Sequence, residues 1–133
     1  MSNKERPKGI HRVSDAPRPM GLYPHARQVG NLLFLSGIGP RNPKTNQVPI
    51  GIEAQCHAVF QNVRTVLESS GASWEQLVDV TVFLTDIEND FNTYNKVYAE
   101  YFDGSNPPCR TTVGVTGLPS PISVELKCIA WIG

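Results

Sequence analysis

The chain has 133 residues, enough for one compact domain and too few for a second. Its 40% hydrophobic and 18% charged content is that of a globular protein rather than a disordered or fibrous one. Twelve basic residues offset twelve acidic ones, so the bulk charge gives no reason to expect nucleic acid or an anionic membrane as partner.

Residues 1–20 read as an irregular arm, because Pro7, Pro17 and Pro19 discourage a helix, with an edge strand available around Gly9 to Val13. The run NLLFLSG from Asn31 to Gly37 is short, apolar and bounded by glycines, which predicts a buried strand. PRNPKTNQVP follows as a turn-rich loop. From Ile52 to Ser70, the apolar residues Ile52, Cys56, Val59, Val63, Val66 and Leu67 recur in steps of three and four, the stripe of an amphipathic helix, and Gly71 supplies its stop. VDVTVFLT, Val78 to Thr85, is β-branched and of strand length. A second helix is predicted from about Asp90, as its cap, to Phe102, with Phe91, Tyr94, Val97, Tyr98, Tyr101 and Phe102 at helical spacing. Beyond the loop DGSNPP, strands are predicted over Arg110 to Thr116 and Ser123 to Ile132. In the last, Val124, Leu126, Cys128 and Ala130 share one face, and Glu125, Lys127, Ile129 and Trp131 the other.

This order of elements describes an α+β domain with two helices on one face of a sheet. The opposite face would then carry exposed aliphatic residues in a single chain, and such a patch marks an interface, so an oligomer is expected.

Cys56, Cys109 and Cys128 are odd in number and lack a CxxC spacing, which argues for a reducing compartment rather than a disulfide framework. His11, His25 and His57 form no HxH or HExxH pattern, so no metal site is expected. There is no GxGxxG fingerprint, no phosphate-binding GxxxxGK loop and no GxSxG elbow, so neither a nucleotide cofactor nor a serine nucleophile is implied. The polar N-terminus lacks the apolar core of a secretory signal, and no apolar run is long enough to span a bilayer; a soluble, cytoplasmic protein is expected.

The chemistry-bearing candidates are few. In PPCRTT, a rigid diproline leads into Arg110 at the start of a strand, where its planar donor fork would suit a carboxylate; a surface ion pair is the plainer alternative. Glu125 is an acid inside the otherwise apolar VELKCIAW, either facing solvent or serving as a general base toward water or a partner of Lys127 or Arg110. Tyr23 in GLYPHARQVGN offers a phenol for orienting a ligand, against the alternative of a packed ring with a wet hydroxyl. Asn95 lies among the aromatics of the second helix, where its amide can bond a loop, a ligand or solvent. His25 and His57 are acid–base candidates by residue type alone. Cys56 belongs to the helical core stripe, and Cys109 is a loop-associated thiol available for reaction but without a visible partner.

Taken together, GLYPHARQVGNLLFLSG, NPKTNQVP, QNVRTVLESSGAS, VTVFLTDIENDFNTYNKVYAEYF and PPCRTTVGVTGLPSPISVELKCIAW resemble, in order and spacing, the Rid (reactive intermediate deaminase; YjgF/YER057c/UK114) family from about Gly21 to Trp131. The resemblance implies a chorismate-mutase-like mixed β-sheet with two helices on one face, assembled as a homotrimer with clefts at subunit boundaries. It implies that Arg110 grips a substrate carboxylate and that Glu125 positions or activates water. Tyr23, Asn95 and the backbone at Gly37, beside Ser36, match further cleft positions. Many members carry cysteine two residues after the arginine. Thr112 stands there instead, as a cleft residue without thiol chemistry.

The activity implied is cofactor-free hydrolysis of an enamine or imine carboxylic acid with release of ammonia. GLYPH, YNKVYAEYF and CRTTVGVTGLP resemble the 2-aminomuconate deaminases of aromatic-compound degradation. The alternatives are a general deaminase of 2-aminoacrylate-type compounds, a trimer that binds a small ligand without turnover, and a ribonuclease or translation inhibitor. The last lacks the basic stripe and stacking aromatics that single-stranded RNA requires.

Overall fold

The computed structural model describes residues 9–133. In chain order it contains β1 (Ile10–His11), β2 (Ala26–Val29), β3 (Leu32–Leu35), α1 (Ile52–Ser69), a short 3-10 turn (Trp74–Gln76), β4 (Leu77–Leu84), α2 (Ile87–Tyr101), β5 (Cys109–Gly114) and β6 (Val124–Trp131). The six strands form one mixed sheet in the order β1-β2-β3-β6-β4-β5. Every pairing is antiparallel except β4 with β5 at the edge. The segment 1–8 of the expected arm lies outside the described residues; the remainder pairs through β1, at the expected edge position.

β6 is central, held by β3 on one side and β4 on the other, which explains its two-faced apolar pattern. Val124, Leu126, Cys128 and Ala130 are all buried on the side that carries the helices. α1 presents Cys56, Val59, Val63, Val66 and Leu67 to that core, the predicted stripe, with every one of these side chains excluded from solvent. The helix ends as its sequence requires: Gly71 takes φ 85°, and the N–H groups of Gly71 and Ala72 return to the carbonyls of Glu68 and Leu67 at 3.2 and 2.8 Å. α2 packs on α1 through aromatic rings, Phe60 lying 4.6 Å from Tyr101 and 5.7 Å from Tyr94 between centroids.

Two elements differ from the sequence expectation. β2 was not predicted, because ARQV buries only Ala26 and shows no alternation; what creates it is the hairpin register, with Val29 opposite Leu32 across Gly30-Asn31 and Gly30 at φ 59°. α2 begins at Ile87, not Asp90. Asp86 is its N-cap residue, and Asp90 instead donates its N–H to the Asp86 carbonyl at 2.9 Å to close the first turn. The polar IEND segment hides this turn from an apolar-periodicity reading. Ile87 is accommodated because Gly114 at the end of β5 has no Cβ, which would lie 2.8 Å from the Ile87 side chain.

The sheet face opposite the helices is uncovered within one chain. Register places Val29, Leu32 and Trp131 together there, with Phe34 beside Ile129 and Phe83 beside Val113. Val29 is 57% and Trp131 53% exposed. Contiguous apolar exposure of this kind is the physical mark of an interface. Among the described residues no helix is long and apolar enough to cross a membrane.

Candidate functional site

The end of β3 and the start of β6 form the floor of a cleft. Ile38 and Leu126 exchange backbone hydrogen bonds at 2.8 and 3.0 Å, which lays Ser36 and Gly37 alongside Glu125. A Cβ at Gly37 would run into the Glu125 carboxylate, its Cδ being only 3.0 Å away, so the carboxylate occupies the space that any other residue would fill. The Gly37 N–H takes part in no hydrogen bond among the described residues, and Gly37 lines the cleft. Glu125 is half-buried, and burial raises its pKa above the ordinary glutamate value. A carboxylate in this position, raised from its ordinary value and facing the cleft, is placed to exchange a proton with a ligand or water held there.

The walls come from residues 17–20, Tyr23, Arg41 and the loop around Ser120, and together they bound an open cleft of about 570 Å³, solvent at its mouth included. The Tyr23 hydroxyl accepts a hydrogen bond from the Met20 N–H at 3.0 Å, which leaves its own proton free to donate. His25 lines the cleft but is engaged on both ring nitrogens. Nδ1 accepts from the Val13 N–H at 3.0 Å, so Nε2 carries the proton donated to the Pro17 carbonyl at 2.7 Å. That tautomer makes His25 a clamp on the arm. His57 lies between the helices, its Nδ1 2.7 Å from the Tyr101 hydroxyl, outside the cleft.

Arg110 sits elsewhere. The parallel register puts it beside Val80, on the helix-bearing face of the edge strand β5. Its Nη1 donates to Asn95 Oδ1 at 2.7 Å, and its guanidinium stacks over Tyr98 at 4.6 Å from the ring centroid, with Phe91 and Tyr94 each at 5.8 Å. Asn95 is thus the residue that holds Arg110, and most of the donor fork remains unused. Burial pushes the Tyr94 and Tyr98 phenols up in pKa, against the pull of Arg110. Thr112, two residues along the same face, has a buried hydroxyl without a partner among the described residues.

The candidate residues of one chain therefore fall into two separate groups. Tyr23, Gly37 and Glu125 share the cleft, while Arg110, Asn95 and Thr112 lie at the β5 edge. Glu125 is in register with Phe83, on the face opposite Arg110, so a pairing of Arg110 with Glu125 does not occur within a chain. Lys127 is also not a partner of Glu125: its Nζ donates to the Leu35 carbonyl. Of the cysteines, Cys56 and Cys128 are buried, with thiols pushed up to about 12 chiefly by burial, and only Cys109 is exposed. Among the described residues no group of acidic, histidine and cysteine side chains could hold a metal ion. Sequence reasoning missed Arg41, Ser120 and the wall 17–20. The available signal was the arginine after Pro40, which repeats the proline–arginine order of PPCR with one residue fewer between them.

The family model described as Endoribonuclease L-PSP matches residues 13–132. A RutC family protein of Pyrococcus horikoshii is 42% identical over 120 residues, covering 90% of this chain and 94% of its own length. The crystal structure of RidA from the Antarctic bacterium Psychrobacter sp. superposes with a TM-score of 0.89 at 32% identity, over 94% of this chain and 100% of that one. Escherichia coli TdcF, solved with bound serine, gives a TM-score of 0.88 at 32% identity, over 95% and 100% of the two chains.

Proposed function

The chain belongs to the Rid/YjgF family, and from that premise we propose that it is a cofactor-free, cytoplasmic deaminase of an enamine or imine carboxylic acid, acting as a homotrimer with its sites between subunits. The observation that carries this reading is the division of the site. Arg110 is oriented but has an unfilled donor fork at one edge, and Glu125 is desolvated in an open cleft on the other face. The uncovered apolar face supports assembly, and a neighbouring copy would bring the two halves together.

In the reaction we propose, Arg110 takes the substrate carboxylate in a two-pronged contact, with Thr112 beside it. The enamine has tautomerised to its imine, C=N–H. Glu125 removes a proton from water as the oxygen bonds to the imine carbon, and the nitrogen is protonated to give a carbinolamine. The C–N bond then breaks, ammonia leaves, and the carbon becomes a ketone. The Gly37 N–H and the Tyr23 hydroxyl would bond the polar atoms developed along this path. Enamine hydrolysis is facile in water, so positioning and a proton shuttle suffice without a cofactor.

The substrate we propose is 2-aminomuconate, on the motifs GLYPH, YNKVYAEYF and CRTTVGVTGLP; the general 2-aminoacrylate-type deaminase is its nearest rival. Ammonia release from freshly generated 2-aminomuconate and 2-aminoacrylate tests the reading. Arg110→Ala is expected to lower kcat/KM on both by about 10- to 100-fold, the worth of a charged hydrogen-bonded anchor. An unchanged kcat/KM would remove Arg110 from its role. The TdcF structure with bound serine favours a second reading, a trimer that holds a small carboxylate without turnover. Carboxylate binding with no ammonia release from either compound would select it.

A further inference from the structure

Two arginines line the cleft, the exposed Arg18 and the tethered Arg41, and the deaminase reading gives Arg41 no task. It follows Pro40 in the loop leaving β3, and that loop is fixed from below. Asn62, buried on α1, donates through Nδ2 to the carbonyls of Gly39 and Arg41, each at 2.9 Å. The guanidinium is fixed as well. Nε and Nη2 reach the Ser120 hydroxyl oxygen at 3.1 and 2.9 Å, and Nη1 reaches the Asn46 carbonyl at 2.6 Å. Those contacts use three of the five donors and leave two. The Ser120 hydroxyl, accepting from Arg41, keeps its own proton to donate. The only acid lining the cleft is Glu125, so among the described residues the arginine faces no competing carboxylate except the one assigned to water.

We infer that Arg41, with Ser120, is the anchor for a second carboxylate at the far end of the substrate, and so the residue that selects dicarboxylic enamines over monocarboxylic ones. The inference rests on the reading of this cleft as the deaminase site. It divides the labour between two arginines: Arg110 of a neighbouring copy holds the carboxylate next to the reacting carbon, and Arg41 holds the distal one. A rigid, pre-oriented fork suits this task better than a mobile lysine would, because little ordering remains to be done on binding. The plainer role, tying the 42–47 loop to the loop at Ser120, would make Arg41 matter equally to every ligand.

Two stable probes separate these roles: muconate, a dienoic diacid, and sorbate, the monoacid with the same diene chain. Calorimetry on the assembled full-length protein is expected to show muconate binding at least about 10-fold more tightly than sorbate, from one added charge-assisted contact. Arg41→Ala should abolish that preference and leave sorbate affinity within about 2-fold, whereas Arg110→Ala should weaken both probes. In turnover, Arg41→Ala should lower kcat/KM for 2-aminomuconate and spare 2-aminoacrylate. Arg41→Gln, which keeps amide donors for the loop contacts but no charge, repeats the comparison if the alanine variant does not fold. An equal loss for both probes in the Arg41 variants, or a diacid preference that survives Arg41→Ala and Arg41→Gln, overturns the inference. Absence of turnover in the unmodified protein would count against the deaminase reading alone, since the binding ratio tests Arg41 without it.

Discussion

Glu125 and Asn95 illustrate how much a side chain's meaning depends on its neighbours. The pKa of Glu125 is raised by burial, so folding shifts the balance toward its neutral form relative to the unfolded chain. A group raised in this way supports the fold fully below its ordinary value of 4.5, and that support is lost as pH rises through the folded-state value. Glu125→Gln removes the ionisation. Denaturant titrations should therefore find this variant at least as stable as the parent at neutral pH, with the gap closing below about pH 4.5, while ammonia release falls by on the order of 100-fold. A variant less stable at neutral pH would mean that the carboxylate is satisfied rather than desolvated. Asn95 acts through Arg110. Asn95→Ala should lower kcat/KM by on the order of 10-fold, the low end of what one hydrogen bond to a charged group is worth. Asn95→Asp should lose more, although it keeps the acceptor, because its carboxylate would compete with the substrate for the same fork. A near-parental aspartate variant would make the role of Asn95 purely structural. Both residues were legible in the sequence as candidates. Their division between two faces was not, since it follows from pairing register across β4.

At the scale of elements, the wall of the cleft depends on a segment with little regular structure. Residues 17–20 are held by His25 through the Val13 N–H and the Pro17 carbonyl, and by Tyr23 through the Met20 N–H. His25→Ala leaves two backbone groups to find water and should cost about 1–3 kcal/mol of stability. With the wall loosened, KM should rise more than kcat falls, and protease cleavage within 13–20 should accelerate; a uniform loss of kcat with KM unchanged would instead make His25 part of the chemistry. α1, β3, β4 and β6 were readable because each buries a continuous stripe or alternate face. β2 was not, because an edge-side strand with one buried residue has no pattern to read. The start of α2 was missed for the same reason, its first turn being polar. The cleft was missed in part because it is made by loops, whose positions are set by contacts such as Asn62 with Gly39 and Arg41, far apart in sequence.

For the whole molecule, the central claim is that one active site needs two copies of the chain. The sequence suggested an oligomer through its surplus of apolar sheet residues, and the fold locates that surplus on the face around Leu32, Phe34, Ile129 and Trp131. Complementation between two crippled chains tests the claim directly. Arg110→Ala and Glu125→Gln proteins, each impaired by about 10-fold or more, are unfolded together in equal amounts and allowed to reassemble at random. A site that draws Arg110 from one copy and Glu125 from its neighbour will be intact in about one quarter of cases. Ammonia release should therefore recover to roughly a quarter of the parental rate, and only after mixing. A reassembled mixture no more active than its two components would place both residues of a working site in the same chain and contradict the account.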